Sequence, residues 1–414
     1  MASVAELDLA AIRRQFPALS LSIDGRPFIY LDNPAGTQVP QRVIDRTTEY
    51  WRTMNANRGG AFMTSRRSDA LIEEVRQAAA VFVNAASADE IVFGPNMTTL
   101  TFALSRAIGR ELRPGDEILL TRLEHDANVA PWVALEERGV TVRFADIVTP
   151  ECTLDLEDLQ RQLSARTRLV AVTHASNAVG TIPDLAAVSR AAHAVGAWVW
   201  VDAVHYAPHG SIDVQAIDCD FLVCSSYKFY GPHQALLYGR RDLLERLRPY
   251  KVRPASDLPP GRWETGTQNH EGLAGLLGAF EYLSWLGGSA SISRAALVAA
   301  ADRIHAHERA LVARLIDGLE RIRGVQIYGL TAAEALDRRA PTVSMTWEPH
   351  DPAALAGWLA RHQVFTWHGD HYATEVIRRL GLADKGGTLR IGVAHYNVAS
   401  EIDLILELLS EYRP

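Results

Sequence analysis

Cysteine is scarce in this chain: three of 414 residues, at positions Cys152, Cys219 and Cys224. Three thiols cannot build a disulfide framework, and their spacing matches no metal-binding pattern. Long apolar runs are missing as well. None could cross a bilayer, and the stretch from Met1 to Gln15 mixes Glu6, Asp8, Arg13 and Arg14 with its apolar residues, unlike a cleaved secretory leader. We therefore expect a cytoplasmic protein in a reducing compartment, with no membrane partner. Excess positive charge is absent too. The 42 Lys and Arg face 49 Asp and Glu, a net charge of -7, which argues against a nucleic-acid partner.

Several chemical signatures are also lacking. No G-x-G-x-x-G turn follows the first strand and no phosphate-binding G-x-x-x-x-G-K-[ST] occurs, which removes the usual nucleotide folds. His270 and Glu271 lack the second histidine of H-E-x-x-H, and no metal is expected. His305 and His307 stand two apart in a helical pattern, so they face different ways and read as surface residues rather than ligands. Gly272, Gly275 and Gly278 fall inside another helical pattern, where they would let helices approach closely.

What is present is the balance of an ordinary globular protein, 48% hydrophobic and 22% charged, in a chain too long for one core. From about residue 68 helical and strand patterns alternate. Helices are expected over 68–83, from 98, over 127–138 and over 184–195. Strands are expected over 90–93, 117–121, 140–145, 169–173, 197–201, 221–224 and 235–238. The apolar, β-branched runs suit a mostly parallel sheet with both faces covered. A loop rich in Pro and Gly over 249–266 leads to helices over 271–286 and 291–322. Strand, helix, strand, helix then follow over 342–347, 352–361, 388–393 and 400–412. The expected fold class is α/β: a large domain with a mostly parallel sheet and a smaller C-terminal α/β domain. No internal repeat is visible.

In such sheets ligands collect beyond the carboxyl ends of the strands. Asp202 ends one apolar strand and Lys228 follows another, 26 residues later, with Gly231 and Pro232 just behind it. Taken singly, a capping carboxylate and a surface lysine are equally good readings. Together they point to an amine that condenses with an aldehyde in a low-dielectric pocket, beside a carboxylate that keeps a pyridine ring protonated.

These residues, with the segments Tyr30–Asn33, Glu124–Trp132, Ser176–Thr181, Ile212–Asp220, Glu264–Thr267 and Leu389–Ile391, resemble the class V aminotransferase family of pyridoxal 5′-phosphate (PLP) enzymes, and within it the cysteine desulfurase branch. The resemblance runs from about Phe28 to the C-terminus. It implies the PLP-dependent fold type I, a homodimer with shared active sites and a small amino-acid substrate. It divides the chain into an N-terminal segment (1–27) packing with the small domain, a large PLP-binding domain (28–268) and a small domain (269–414).

The resemblance also implies roles. Lys228 would hold the cofactor and shuttle the Cα proton, Asp202 would pair with the pyridinium nitrogen, and His125 would stack on the ring. Asn177 and His205 would approach the ring hydroxyl, with His205 standing where relatives carry Gln. Met97 and Thr98, just after Asn96, would receive the phosphate at a helix start, aided by Ser225 and Tyr227 and by Thr267 from the neighbouring subunit. Arg390 would bind the substrate carboxylate, and His371 would face the substrate. Desulfurases of this branch carry a catalytic loop cysteine; Tyr372 stands in its place. A phenol cannot accept sulfur, so we expect C–S cleavage at Cβ by elimination. Transamination, epimerisation or decarboxylation are the alternatives, and a non-catalytic PLP-binding role is a further one.

Overall fold

The apolar runs pair into one seven-stranded sheet in the computed structural model, which describes residues 7–413. In chain order its strands are β1 (Ile91–Gly94), β2 (Glu117–Thr121), β3 (Thr141–Ala145), β4 (Thr167–Thr173), β5 (Trp198–Asp202), β6 (Phe221–Ser225) and β7 (Ala235–Gly239). They lie in the order β1-β7-β6-β5-β4-β2-β3. All neighbours are parallel except β7, which runs antiparallel to both β6 and β1. Helices cover both faces, so β4, β5 and β6 are apolar almost throughout: Val170, Val172, Val199, Val201, Leu222 and Val223 are fully buried. The register sets Asp202 beside Thr173 on one side and Val223 on the other. The ends of the parallel strands thus open on one edge.

A smaller, antiparallel sheet holds β8 (Val325–Tyr328), β9 (Thr342–Trp347), β10 (Trp367–Gly369) and β11 (Thr388–Gly392), in the order β8-β9-β11-β10. Its core takes in Leu315, Val343, Leu389 and Ile405, together with Ile29 and Leu31 from far upstream. The helix His270–Leu286 joins the larger core instead, where Phe280 meets Phe82 and Phe229. The expected division at residues 268 and 269 therefore runs through shared packing. Of the expected N-terminal segment, residues 1–6 lie outside the described residues. Further along it, Phe16 packs on Tyr282 and Tyr396, and Arg13 pairs with Glu401 at 2.9 Å.

Two glycines behave as expected. A Cβ at Gly278 would come within 2.8 Å of the Arg42 carbonyl oxygen, and one at Gly275 within 2.7 Å of Thr47 Oγ1, so helices 270–286 and 41–53 touch where only glycine fits. One expectation fails. The single helix over 127–138 is a 3₁₀ turn at Asp126–Asn128, one α-turn at Ala130–Val133 and a second 3₁₀ turn at Ala134–Arg138. Pro131 sits at the start of the α-turn, where its missing N–H costs nothing. Among the described residues no helix is long and apolar enough to cross a membrane, and no cluster of His, Cys, Asp and Glu could hold a metal.

Candidate active site

A cavity of about 510 Å³ opens at the carboxyl edge of the large sheet. Asp202, His205, Ser225, Tyr227 and Lys228 line it from the ends of β5 and β6. Met97 and Thr98 line it from the start of helix Met97–Ile108, and His125 and Asn177 from the segments after β2 and β4. Nine of the expected residues are thus brought together.

The amine and the carboxylate are both tuned by this enclosure. Burial, reinforced by the Arg390 charge, pulls the Lys228 ammonium down to about 7, while Asp32 and Asp202 oppose the shift. Its Nζ donates to the Pro34 carbonyl. Burial raises Asp202 to about 6, against the Val204 N–H and the Lys228 charge. Asp202 Oδ1 accepts that N–H at 2.9 Å. Because only the neutral amine attacks an aldehyde, capture of PLP by the cofactor-free protein is expected to rise about tenfold per pH unit up to about 7 and then level off. Visible absorbance followed at successive pH values checks this. A rate still climbing toward 10.5 would return Lys228 to the ordinary lysine value.

His125 Nδ1 accepts the Ala127 N–H at 3.0 Å, which leaves the ring proton on Nε2. Burial, with the Lys228 and Arg390 charges, lowers it to about 4, so the ring is neutral near pH 7. Behind it lies Glu124, fully buried and raised to about 8 by desolvation, accepting from Thr121, Asn128 and the Thr173 N–H. Sequence reading passed over Glu124, although it directly precedes His125. At the other end, Asn96 caps its helix through Thr99 N, and Ser225 Oγ accepts the Met97 N–H at 2.9 Å. The Ser225 hydroxyl proton and the exposed first turn are left for an anion.

Arg390 and His371 stand beside the cavity and connect to it through Asn177. Arg390 Nη1 donates to the Asn177 carbonyl at 3.1 Å, and Asn177 Nδ2 donates to the His371 carbonyl at 2.8 Å. Arg390 Nη2 pairs with Asp32 at 3.1 Å, a buried partner absent from the sequence reading. Arg390 Nε, Asn177 Oδ1 and His371 Nδ1 are buried without partners. His371 Nε2 meets Thr388 at 2.9 Å, and His205 Nε2 meets Thr342 at 2.8 Å; burial holds both rings well below the usual histidine range. Tyr372 does not line the cavity; it is 71% exposed, with its ring stacked at 5.7 Å on His125, which does. Its carbonyl accepts the Asp126 N–H at 2.7 Å, and both His371 and Tyr372 have left-handed backbone, φ 56° and 54°. Thr267 is exposed and lies apart from the cavity. The buried Arg76–Glu264 pair, at 2.8 Å, ties down the segment that carries it.

These residues fit PLP. A lowered amine, a buried carboxylate without a cationic partner in hydrogen-bond contact, a neutral imidazole and an anion-ready helix start suit its aldehyde, ring nitrogen, ring face and phosphate. The orphaned Arg390 Nε and Asn177 Oδ1 suit a substrate's carboxylate and the ring hydroxyl. None of the three cysteines lines the cavity; each is buried, and burial raises Cys152 to about 11 and the other two further.

The comparisons with known proteins agree over nearly the full chain. The family model "Aminotransferase class-V" matches residues 29–405. A cysteine desulfurase of Dickeya dadantii is 34% identical, over 95% of this chain and 94% of its own. A probable cysteine desulfurase 1 of Mycobacterium leprae is 33% identical, over 97% of this chain and 65% of its own longer sequence. Among solved structures, the apo cysteine desulfurase of Thermococcus onnurineus superposes with a TM-score of 0.88 at 28% identity, covering 99% of each chain. The chain belongs to the class V aminotransferase family of PLP-dependent enzymes, with fold type I architecture, and is similar to its cysteine desulfurases.

Proposed function

We propose that this enzyme cleaves the C–S bond of a small amino acid such as cysteine by β-elimination, without storing the sulfur on a protein thiol. The observation that carries this reading is the chemistry around the cavity. It holds an activated amine and a carboxylate, with an arginine alongside whose Nε is unpartnered, and a phenol, not a thiol, stacks on the lining residue His125.

Bound there, PLP supplies a ring that absorbs negative charge from the substrate Cα. Asp202 would keep the ring nitrogen protonated, and His125, a neutral imidazole, would lie against the ring. Met97, Thr98, Ser225 and Tyr227 hold the phosphate, joined by Thr267 of a second copy in a homodimer. Asn177 and His205 bind the ring hydroxyl. Arg390 grips the substrate carboxylate as a fork, with His371 lining the substrate side. Lys228 would be the attachment point for PLP and would take the Cα proton. Cleavage of the C–S bond would leave its electron pair on sulfur, and water would convert the released enamine to a keto acid and ammonium. Tyr372 gives the leaving sulfur its proton. It is the exposed candidate, whereas His205 and His371 are buried and already bonded to threonines. The free, buried thiols suit a reducing cytoplasm.

The test is a product assay of the PLP-loaded protein with cysteine. Pyruvate and sulfide in equal amounts, without alanine, are expected. Alanine with sulfide would overturn elimination, and amino transfer dependent on an added keto acid would place the enzyme with the aminotransferases. In the same assay Tyr372→Phe is expected to slow sulfide release about 10²-fold while leaving the cofactor absorbance unchanged. An unaltered rate would remove Tyr372 from this role.

A further inference from the structure

Behind the catalytic cavity lies a second one, of about 480 Å³. The two share a wall. Asp202 and His205 face the first; Tyr206 and His209, from the same segment, face the second. Its opposite side is the helix Arg294–Glu320, which presents Glu308. Glu308 is 2% exposed. Its Oε2 meets His209 Nδ1 at 2.9 Å, but Oε1 is buried with no partner. A buried carboxylate oxygen without a donor is unfavourable unless something fills the gap.

None of the cationic groups nearby hydrogen-bonds Glu308 Oε1, although Arg309 Nε is itself buried without a hydrogen-bond partner. Arg339 spends its guanidinium on the carbonyls of Tyr328, Leu330 and Thr342. Arg309 Nε sits 2.7 Å from Asp337 at the rim, and His305 approaches the same carboxylate at 3.4 Å. The rest of the cavity includes Ile182, Leu336 and Pro341, an apolar surface beside one unpartnered carboxyl oxygen.

We propose that this second cavity binds a small organic cation, whose N–H donates to Glu308 Oε1 while a short hydrocarbon body packs on Ile182, Leu336 and Pro341. The site shares a wall with the catalytic cavity but none of its lining residues.

The probe is N,N-dimethylbutylammonium. It carries one N–H, and as a tertiary amine it cannot condense with the cofactor's aldehyde. Calorimetric titration of the PLP-loaded enzyme is expected to show one saturable site per chain. Glu308→Gln is expected to weaken binding about tenfold or more. The quaternary analogue N,N,N-trimethylbutylammonium, with the same body and no N–H, should bind the unaltered enzyme about tenfold more weakly. That comparison needs no variant to fold. Absence of a saturable site, equal binding of the two cations or an unchanged affinity in Glu308→Gln each overturns the proposal.

Discussion

Lys228→Ala is expected to lower sulfide release from cysteine by at least about 10³-fold, because it removes the group proposed both to hold the cofactor and to accept the Cα proton. The environment explains why no neighbour can substitute. The other cation at the site, Arg390, is engaged with Asp32 and the Asn177 carbonyl and stays protonated at any working pH. His125, lowered to about 4, is a weak base. PLP should still bind, since the helix start and Asp202 are untouched, but its absorbance should be that of the free aldehyde. Added methylamine should restore part of the rate. A variant that turned over at more than a tenth of the original rate without any added amine would sink the proposed role.

Arg390→Ala should cost about 2–5 kcal/mol of transition-state binding, a loss of about 30- to 5,000-fold in kcat/KM. Two effects combine. The substrate carboxylate loses its fork, and Asp32 is left buried without its cation. Burial already raises the Asp32 pKa, and Arg390 is the main force holding it down. In the variant Asp32 should therefore take up a proton, a second signature visible as a shifted pH profile. Arg390→Lys keeps the charge but not the planar geometry and should fall between. The decisive comparison is cysteine against cysteinamide, which lacks the carboxylate. The unaltered enzyme should prefer cysteine strongly and Arg390→Ala should not. If both substrates suffered equally, Arg390 would be holding the fold rather than the substrate.

Much of this site was legible in the sequence because buried parallel strands announce themselves. The runs ending at Asp202 and Ser225 are apolar on both faces, and the polar residues after them had to meet at one edge. Arg390 and Thr267 carry no such local signal, and only family resemblance singled them out. The pairing of Arg390 with Asp32 spans 358 residues and leaves no trace in any window of sequence. Two short strands, Val325–Tyr328 and Trp367–Gly369, fall outside the strands expected from the sequence; the three residues of the second, Trp367, His368 and Gly369, have no apolar alternation and gain their order from β11. The broken helix after His125 shows proline and local capping overriding helical periodicity.

The burial of Cys152, Cys219 and Cys224 has one more consequence. An enzyme that keeps sulfur on an exposed loop thiolate carries its own point of failure, since peroxide or an alkylating agent reaches that sulfur first. Here the thiols are sealed in the core and held protonated, so no cysteine thiolate is offered to the surroundings. A catalyst working as proposed above would expose no cysteine thiolate for an oxidant or alkylating agent to reach, and its activity on cysteine is expected to survive such treatment.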